Sequence, residues 1–139
     1  MGYEYAFNIS VADQNGNKAY RIIRLNGKQT LDDLCDVIAF AFSFINEHSY
    51  EYSLDGNTLS TEEMMDSFHL HRGQEIELHY DFGDDWIFRI SVEKIYKTPD
   101  DRPWAIVSGD GFVLQYPPID GDDEEAEAAG EIESVDSAE

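Results

Sequence analysis

The sequence holds a single cysteine, Cys35, so no disulfide can form within the chain and no metal site can be built from paired cysteines. Positive charge is also scarce. Nine Lys and Arg stand against thirty Asp and Glu, a formal charge of −21. The nine are scattered from Lys18 to Arg102 without a basic stripe, which disfavours direct nucleic-acid binding, because phosphate contacts need clustered cations to displace counterions. The same sign disfavours anionic membrane surfaces. No apolar run approaches the roughly 20 residues needed to cross a bilayer. The opening Met1, Gly2, Tyr3, Glu4, Tyr5 lacks the basic and apolar regions of a signal peptide, and the expected location is cytoplasmic. No Walker-type or dinucleotide-type glycine loop and no nucleophile elbow is present.

The chain does have enough apolar material for a core: 42% of its 139 residues are hydrophobic and 13% aromatic, which predicts one folded unit. Charge is unevenly placed. Ten of the thirty acids fall between Asp120 and Glu139, where there is no base, so the preceding 119 residues carry −11. That last stretch, rich in Glu, Asp, Ala, Ser and Gly, cannot bury enough apolar area to offset its ordering entropy. The expected organisation is a domain over residues 1–119 and a disordered acidic tail over 120–139.

Tyr3, Tyr5, Phe7, Ile9 and Val11 alternate with smaller or polar residues, the period of a half-buried strand. The turn pair Asn15-Gly16 and a second apolar run, Ala19 to Leu25, then predict an opening hairpin. Thr30 is placed to cap a helix with Asp32 and Asp33 in its first turn, where carboxylates meet the positive end of the helix dipole. Leu31, Leu34, Ile38, Ala41, Phe42 and Ile45 continue at helical spacing, predicting a helix to about Ile45.

A short strand from Tyr50 to Leu54 ends at Asp55-Gly56, and Ser60 or Thr61 with Glu62 and Glu63 resembles a capping box for a short helix through Phe68. Glu75 to Tyr80 and Trp86 to Tyr96 read as the two strands of a central hairpin. Ala105 to Val107 and Phe112 to Tyr116 are shorter strand candidates around Ser108, Gly109, Asp110 and Gly111, which read as a tight turn. Hairpins with few helices between them predict an α+β fold: an antiparallel-rich sheet, with a mixed sheet the alternative, one main helix packed on it, an opening order ββαβ and a short second helix.

The run Tyr80, Asp81, Phe82, Gly83, Asp84, Asp85, Trp86 and the alternating strand after it to Val92 and Glu93 resemble the hallmark of the plasmid pRiA4b ORF-3-like family. Three other pieces fall in that family's order: Thr30 to Leu34 with Val37 and Ile38, His48 to Tyr52, and Gly109, Asp110, Gly111 ahead of Pro117 and Pro118. Together they span Tyr3 to Gly121. The resemblance implies an α+β domain from a family of bacterial and archaeal plasmids and chromosomes, with no established biochemical activity. Many members have cysteines near their Pro-Pro; Gly111 to Pro118 has none here, so no metal or redox role tied to those cysteines carries over.

The motif supplies the candidate site: Asp81, Phe82, Gly83, Asp84, Asp85 and Trp86, with His48 and Glu51 from the matching upstream segment. Three close carboxylates repel one another, which raises a pKa or attracts a hard divalent cation at Asp81, Asp84 and Asp85. The plainer reading, favoured because no EF-hand spacing accompanies them, is that the Asp side chains and Gly83 set a turn while Phe82 and Trp86 anchor it. His48 and Glu51 point to opposite faces if their segment is a strand, so a structural role with Glu51 paired to a base such as Arg89 is preferred to proton transfer. His69, His71 and His79 meet only if the strand register allows it. Cys35 falls on the core side of the helix, where cysteine acts as a small hydrophobe.

Three functions follow. First is a non-catalytic module that binds a protein partner, marked by an exposed apolar patch bordered by carboxylates at Tyr116 or Trp104. Second is a metal-dependent hydrolase or nuclease using the Asp81, Asp84, Asp85 loop, which requires the three to converge. Third is a DNA-mimic regulator of a basic nucleic-acid-binding protein, which requires regular rows of acids. No cofactor is expected beyond that possible divalent ion, and neither the partner nor the oligomeric state follows from sequence.

Overall fold

The computed structural model describes residues 2–98 and 101–116. The expected domain end at Ile119 and the acidic stretch from 120 to 139 lie outside the described residues. Along the chain come β1 (Gly2–Ala12), β2 (Lys18–Asn26), α1 (Leu31–Ala41), β3 (Tyr50–Leu54), β4 (Asn57–Thr58), a 3₁₀ turn (Met65–Phe68), β5 (Glu75–Tyr80), β6 (Trp86–Thr98) and β7 (Trp104–Gly111). All seven strands form one sheet in the order β4-β3-β5-β6-β1-β2-β7, and every pairing is antiparallel. The sheet-rich α+β class is as the strand periodicities predict.

Alternation in the sequence decides which face is buried. Tyr5, Phe7, Ile9 and Val11 of β1, Ile23 and Leu25 of β2, Ile76, Leu78 and Tyr80 of β5, and Phe88, Ile90 and Val92 of β6 join the buried helix residues Leu31, Leu34, Cys35, Val37 and Ile38 in one core. The buried phase of β6 changes after Val92. Val92 pairs with Phe7 but Lys94 pairs with Ala6, leaving Glu93 as a bulge that returns Ile95 to the core side opposite Tyr5.

Thr30 caps α1 as expected and makes a reciprocal capping box: Asp33 N–H donates to Thr30 Oγ1 at 3.1 Å, and Thr30 N–H donates to the Asp33 carboxylate at 2.9 Å. The helix ends at Ala41 instead of near Ile45. Ser43 takes the left-handed conformation (φ 61°), Phe44 N–H donates to Ala39 O at 2.8 Å and Ser43 N–H to Phe40 O at 3.2 Å. This is a Schellman termination built on serine in place of glycine. It turns Phe44 inward against Trp86 and Phe88, with ring centroids at 4.9 and 5.5 Å.

Two further expectations are corrected. The second helix is only the 3₁₀ turn, because residues 61–63 are spent in a turn whose Thr61 carbonyl accepts from Asp32 N–H at the start of α1, and Met64 bridges to Thr30. β7 runs unbroken through Ser108 to Gly111, where a turn was expected, and 112–116 is not a strand. Gly109 and Gly111 serve close approach: a Cβ there would lie 2.5 Å from Tyr20 O and 2.2 Å from Lys18 O. No helix among the described residues is long and apolar enough to cross a membrane.

Candidate functional site

The loop joining β5 to β6 contains the motif. Asp81 is left-handed (φ 62°) and buried, and it organises the turn with both its backbone and its side chain. Its carbonyl accepts from Asp84 N–H at 3.1 Å and Asp85 N–H at 2.6 Å, and its Oδ1 accepts from Gly83 N–H at 3.2 Å and Asp84 N–H at 3.3 Å. Asp81 N–H donates to Ser49 O at 2.8 Å, tying the loop to the chain before β3. Asp85 is also left-handed (φ 56°), and its Oδ1 lies 2.7 Å from His79 Nε2. The His79 ring packs on Phe82 at 4.9 Å, while Trp86 is buried against Phe44.

The three carboxylates therefore part company: Asp81 turns into the loop, Asp85 turns to His79, and Asp84 is exposed. Among the described residues no three His, Cys, Asp or Glu side chains come together in a way that could hold a metal ion. His69 closes the 3₁₀ turn in a left-handed conformation and His71 is exposed in the following turn, so neither shares a site with His79. Glu51 stands opposite His79 in the β3–β5 register, on the sheet face away from α1, and does not meet His48. Arg89 pairs across to Glu77, so the expected ion pair with Glu51 is absent.

On the helix side a second cluster forms that the sequence did not indicate. His48 Nε2 shares a 2.5 Å hydrogen bond with Tyr116 Oη and lies 3.6 Å from Asp81 Oδ2. The chain reaches this place because Gln115, itself buried, grips the backbone beyond α1: Ile45 N–H donates to its Oε1 at 2.6 Å and its Nε2 donates to Ile45 O at 3.1 Å. Tyr80 completes the clamp, donating to Ile45 O at 2.8 Å and accepting from Glu47 N–H at 3.1 Å. Val113 and Gln115 face inward, leaving Phe112 (67% exposed), Leu114 (45%) and Tyr116 (52%) as an outward ledge.

Burial, reinforced by Asp36 and Asp32, pushes the Cys35 thiol up to about 12, so it is protonated and inert at neutral pH. The Tyr116 hydroxyl is also raised, by desolvation first and then by the nearby Asp81, Glu47 and Asp84.

Residues 4–115 match the plasmid pRiA4b ORF-3-like protein family. The chain belongs to that family. This pRiA4b ORF-3-like chain is similar in fold to a crystal structure of a protein of unknown function from Methanosarcina mazei Go1, with a TM-score of 0.64 and 20% identity over 78% of this chain and 70% of that one. No curated protein matches it. The pRiA4b ORF-3-like motif thus works in this chain as a structural turn with a His–carboxylate contact on either side. The sheet face away from α1 has an open depression of about 810 Å³ lined in part by Ser10, Tyr20, Glu77, Ile87 and Arg89. It is open to one side, unlike the enclosing cleft of a typical small-molecule site.

Proposed function

We propose that this member of the pRiA4b ORF-3-like family is a non-catalytic protein-interaction module for a basic partner. The observation that carries the reading is the ledge of Phe112, Leu114 and Tyr116, all exposed, with the exposed acids Glu47 and Asp84 acting on Tyr116. Apolar side chains standing together in solvent mark interaction sites, and a carboxylate rim selects for cations at the approaching surface. The net charge of −21 extends that selection over long range and speeds encounter with a basic protein. A reciprocal pair of hydrogen bonds between Gln115 and Ile45 supports the ledge, so a partner meets a preformed surface.

The test compares full-length protein with a Phe112→Ser/Leu114→Ser variant as baits for quantitative affinity capture at low and high salt. Exposed side chains contribute little to folding, so the variant should melt within a few degrees of the parent. A partner bound by the parent, reduced about tenfold or more on the variant and weakened by salt, supports the reading. A partner whose recovery is indifferent to both changes contradicts it.

A further inference from the structure

Among the described residues β7 is the long free edge of the sheet; at the other edge β4 has only two residues. Free edges are usually blunted by lysine, proline or brevity. β7 has eight residues, Trp104–Gly111, with no lysine or proline and Asp110 as its only charge. Its one protective device is the bulge where Ile22 pairs with Ser108 and Ile23 with Ile106, which leaves Val107 unpaired and 56% exposed.

The hydrogen-bond phase shows which backbone groups face outward. Asn26 N–H donates to Pro103 O at 2.9 Å, making Asn26 and Pro103 a bonded pair. Antiparallel pairs alternate between bonded and non-bonded, so Leu25 with Trp104 is non-bonded, Arg24 with Ala105 bonded, and Ile23 with Ile106 non-bonded. The N–H and C=O groups of Trp104 and Ile106 therefore point away from β2, and among the described strands none lies beyond them. Their side chains fall on the α1 side of the sheet, where Phe40, itself 68% exposed, packs edge-on to Trp104 at 5.8 Å. An open row of backbone donors and acceptors thus runs beside an apolar shelf, the arrangement that accepts an added strand.

Charge selects the occupant. The 119 residues that include this edge carry −11 and the whole chain −21, so pairing two copies of β7 brings two strongly like-charged bodies together, whereas a basic segment is attracted. We propose that the outer edge of β7, from Trp104 to Val107, takes an extended basic segment of a partner protein as an additional strand. This rests on the interaction-module reading and supplies its binding mode.

The experiment uses full-length protein and a fluorescein-labelled hexapeptide of alternating Lys and Val, read by fluorescence anisotropy at about 0.15 M salt. A second peptide has the same sequence and charge but is N-methylated on two consecutive central amides, which blocks both of its strand edges. The protein variant is Ile106→Pro, which removes an outward N–H while leaving the ladder to β2 in place. The unmethylated peptide should bind about tenfold or more tightly than the methylated one, a ratio worth one to two net hydrogen bonds, and Ile106→Pro should erase that ratio. If Ile106→Pro does not fold, the peptide comparison carries the test.

Equal binding of the two peptides overturns strand addition while leaving the attraction to basic partners intact. Failure of both peptides to bind overturns the assignment of β7 without touching the ledge, which its own variants test. Equally tight binding of a Glu-Val peptide overturns the charge selection. A dimer of the parent, abolished by Ile106→Pro, overturns the proposal in favour of a second copy as occupant.

Discussion

Replacing Gln115 by alanine should detach the last described segment from the end of α1 and remove the ledge with it. Two side-chain hydrogen bonds are lost, at 2.6 Å from Ile45 N–H and at 3.1 Å to Ile45 O. Ile45 O keeps its bond from Tyr80, but among the described residues Ile45 N–H has no acceptor other than Gln115. At about 1 kcal/mol net per bond, with a further desolvation cost wherever the freed amide stays shielded from water, the loss should be about 2–3 kcal/mol. Urea denaturation measures that directly, and hydrogen exchange at the Ile45 amide reports whether this bond is the one broken. Gln115→Glu is the discriminating control: protonated at low pH, its carboxyl can both accept from Ile45 N–H and donate to the Ile45 carbonyl, so it should lose less than alanine there, and it should lose more as it ionises and faces that carbonyl without a donor. An alanine variant that loses under about 0.5 kcal/mol with Ile45 still protected would refute the clamp.

Three further outcomes follow from backbone geometry and burial. Gly111→Ala places a Cβ 2.2 Å from Lys18 O at φ 80°, so it should destabilise by about 2 kcal/mol or more in urea titration, whereas Gly16→Ala, at φ 87° with open space around it, should cost only about 1 kcal/mol. Equal losses at the two sites would deny that close β2–β7 approach requires Gly111. Ser43→Gly relieves the left-handed strain at the end of α1 and should stabilise by about 0.5–1 kcal/mol, raising the melting temperature by a few degrees. Cys35 has its folded-state pKa raised from 9.0 to about 12, so its contribution is intact below pH 9 and is lost as pH rises from 9 towards 12. By pH 10 the loss should reach about 1 kcal/mol, and Cys35→Ala should make the pH 8–10 stability profile less steep; an unchanged slope contradicts the assignment.

What the sequence made legible follows from how strongly each element's side chains were sorted by the core. β1, β5 and the first half of β6 alternate because one face is packed with large apolar side chains under α1 and the other is small or polar, and their limits agree within one or two residues. The edge strand β7 is exposed along most of its length, so nothing sorts its residues, and Gly109 and Gly111 resemble turn glycines when their purpose is to let the backbone approach β2. The early end of α1 was hidden for a related reason: Phe42 and Ile45 continue the helical period, yet the chain leaves the helix through a serine, which does not advertise a left-handed cap.

The candidate site divides along the same line between local and non-local information. The turn made by Asp81 and Gly83 could be read from sequence because its hydrogen bonds close within four residues. The contacts that flank it could not. His79 reaches Asp85 only because the hairpin register sets β5 beside the start of β6, and His48 reaches Tyr116 across 68 positions only because Gln115 is anchored to Ile45. An unusual motif thus specifies its own turn, whereas the surface that turn presents is specified by the rest of the chain. For this reason the ledge and the β7 edge, both outside the motif, are the places where substitutions should separate binding from folding.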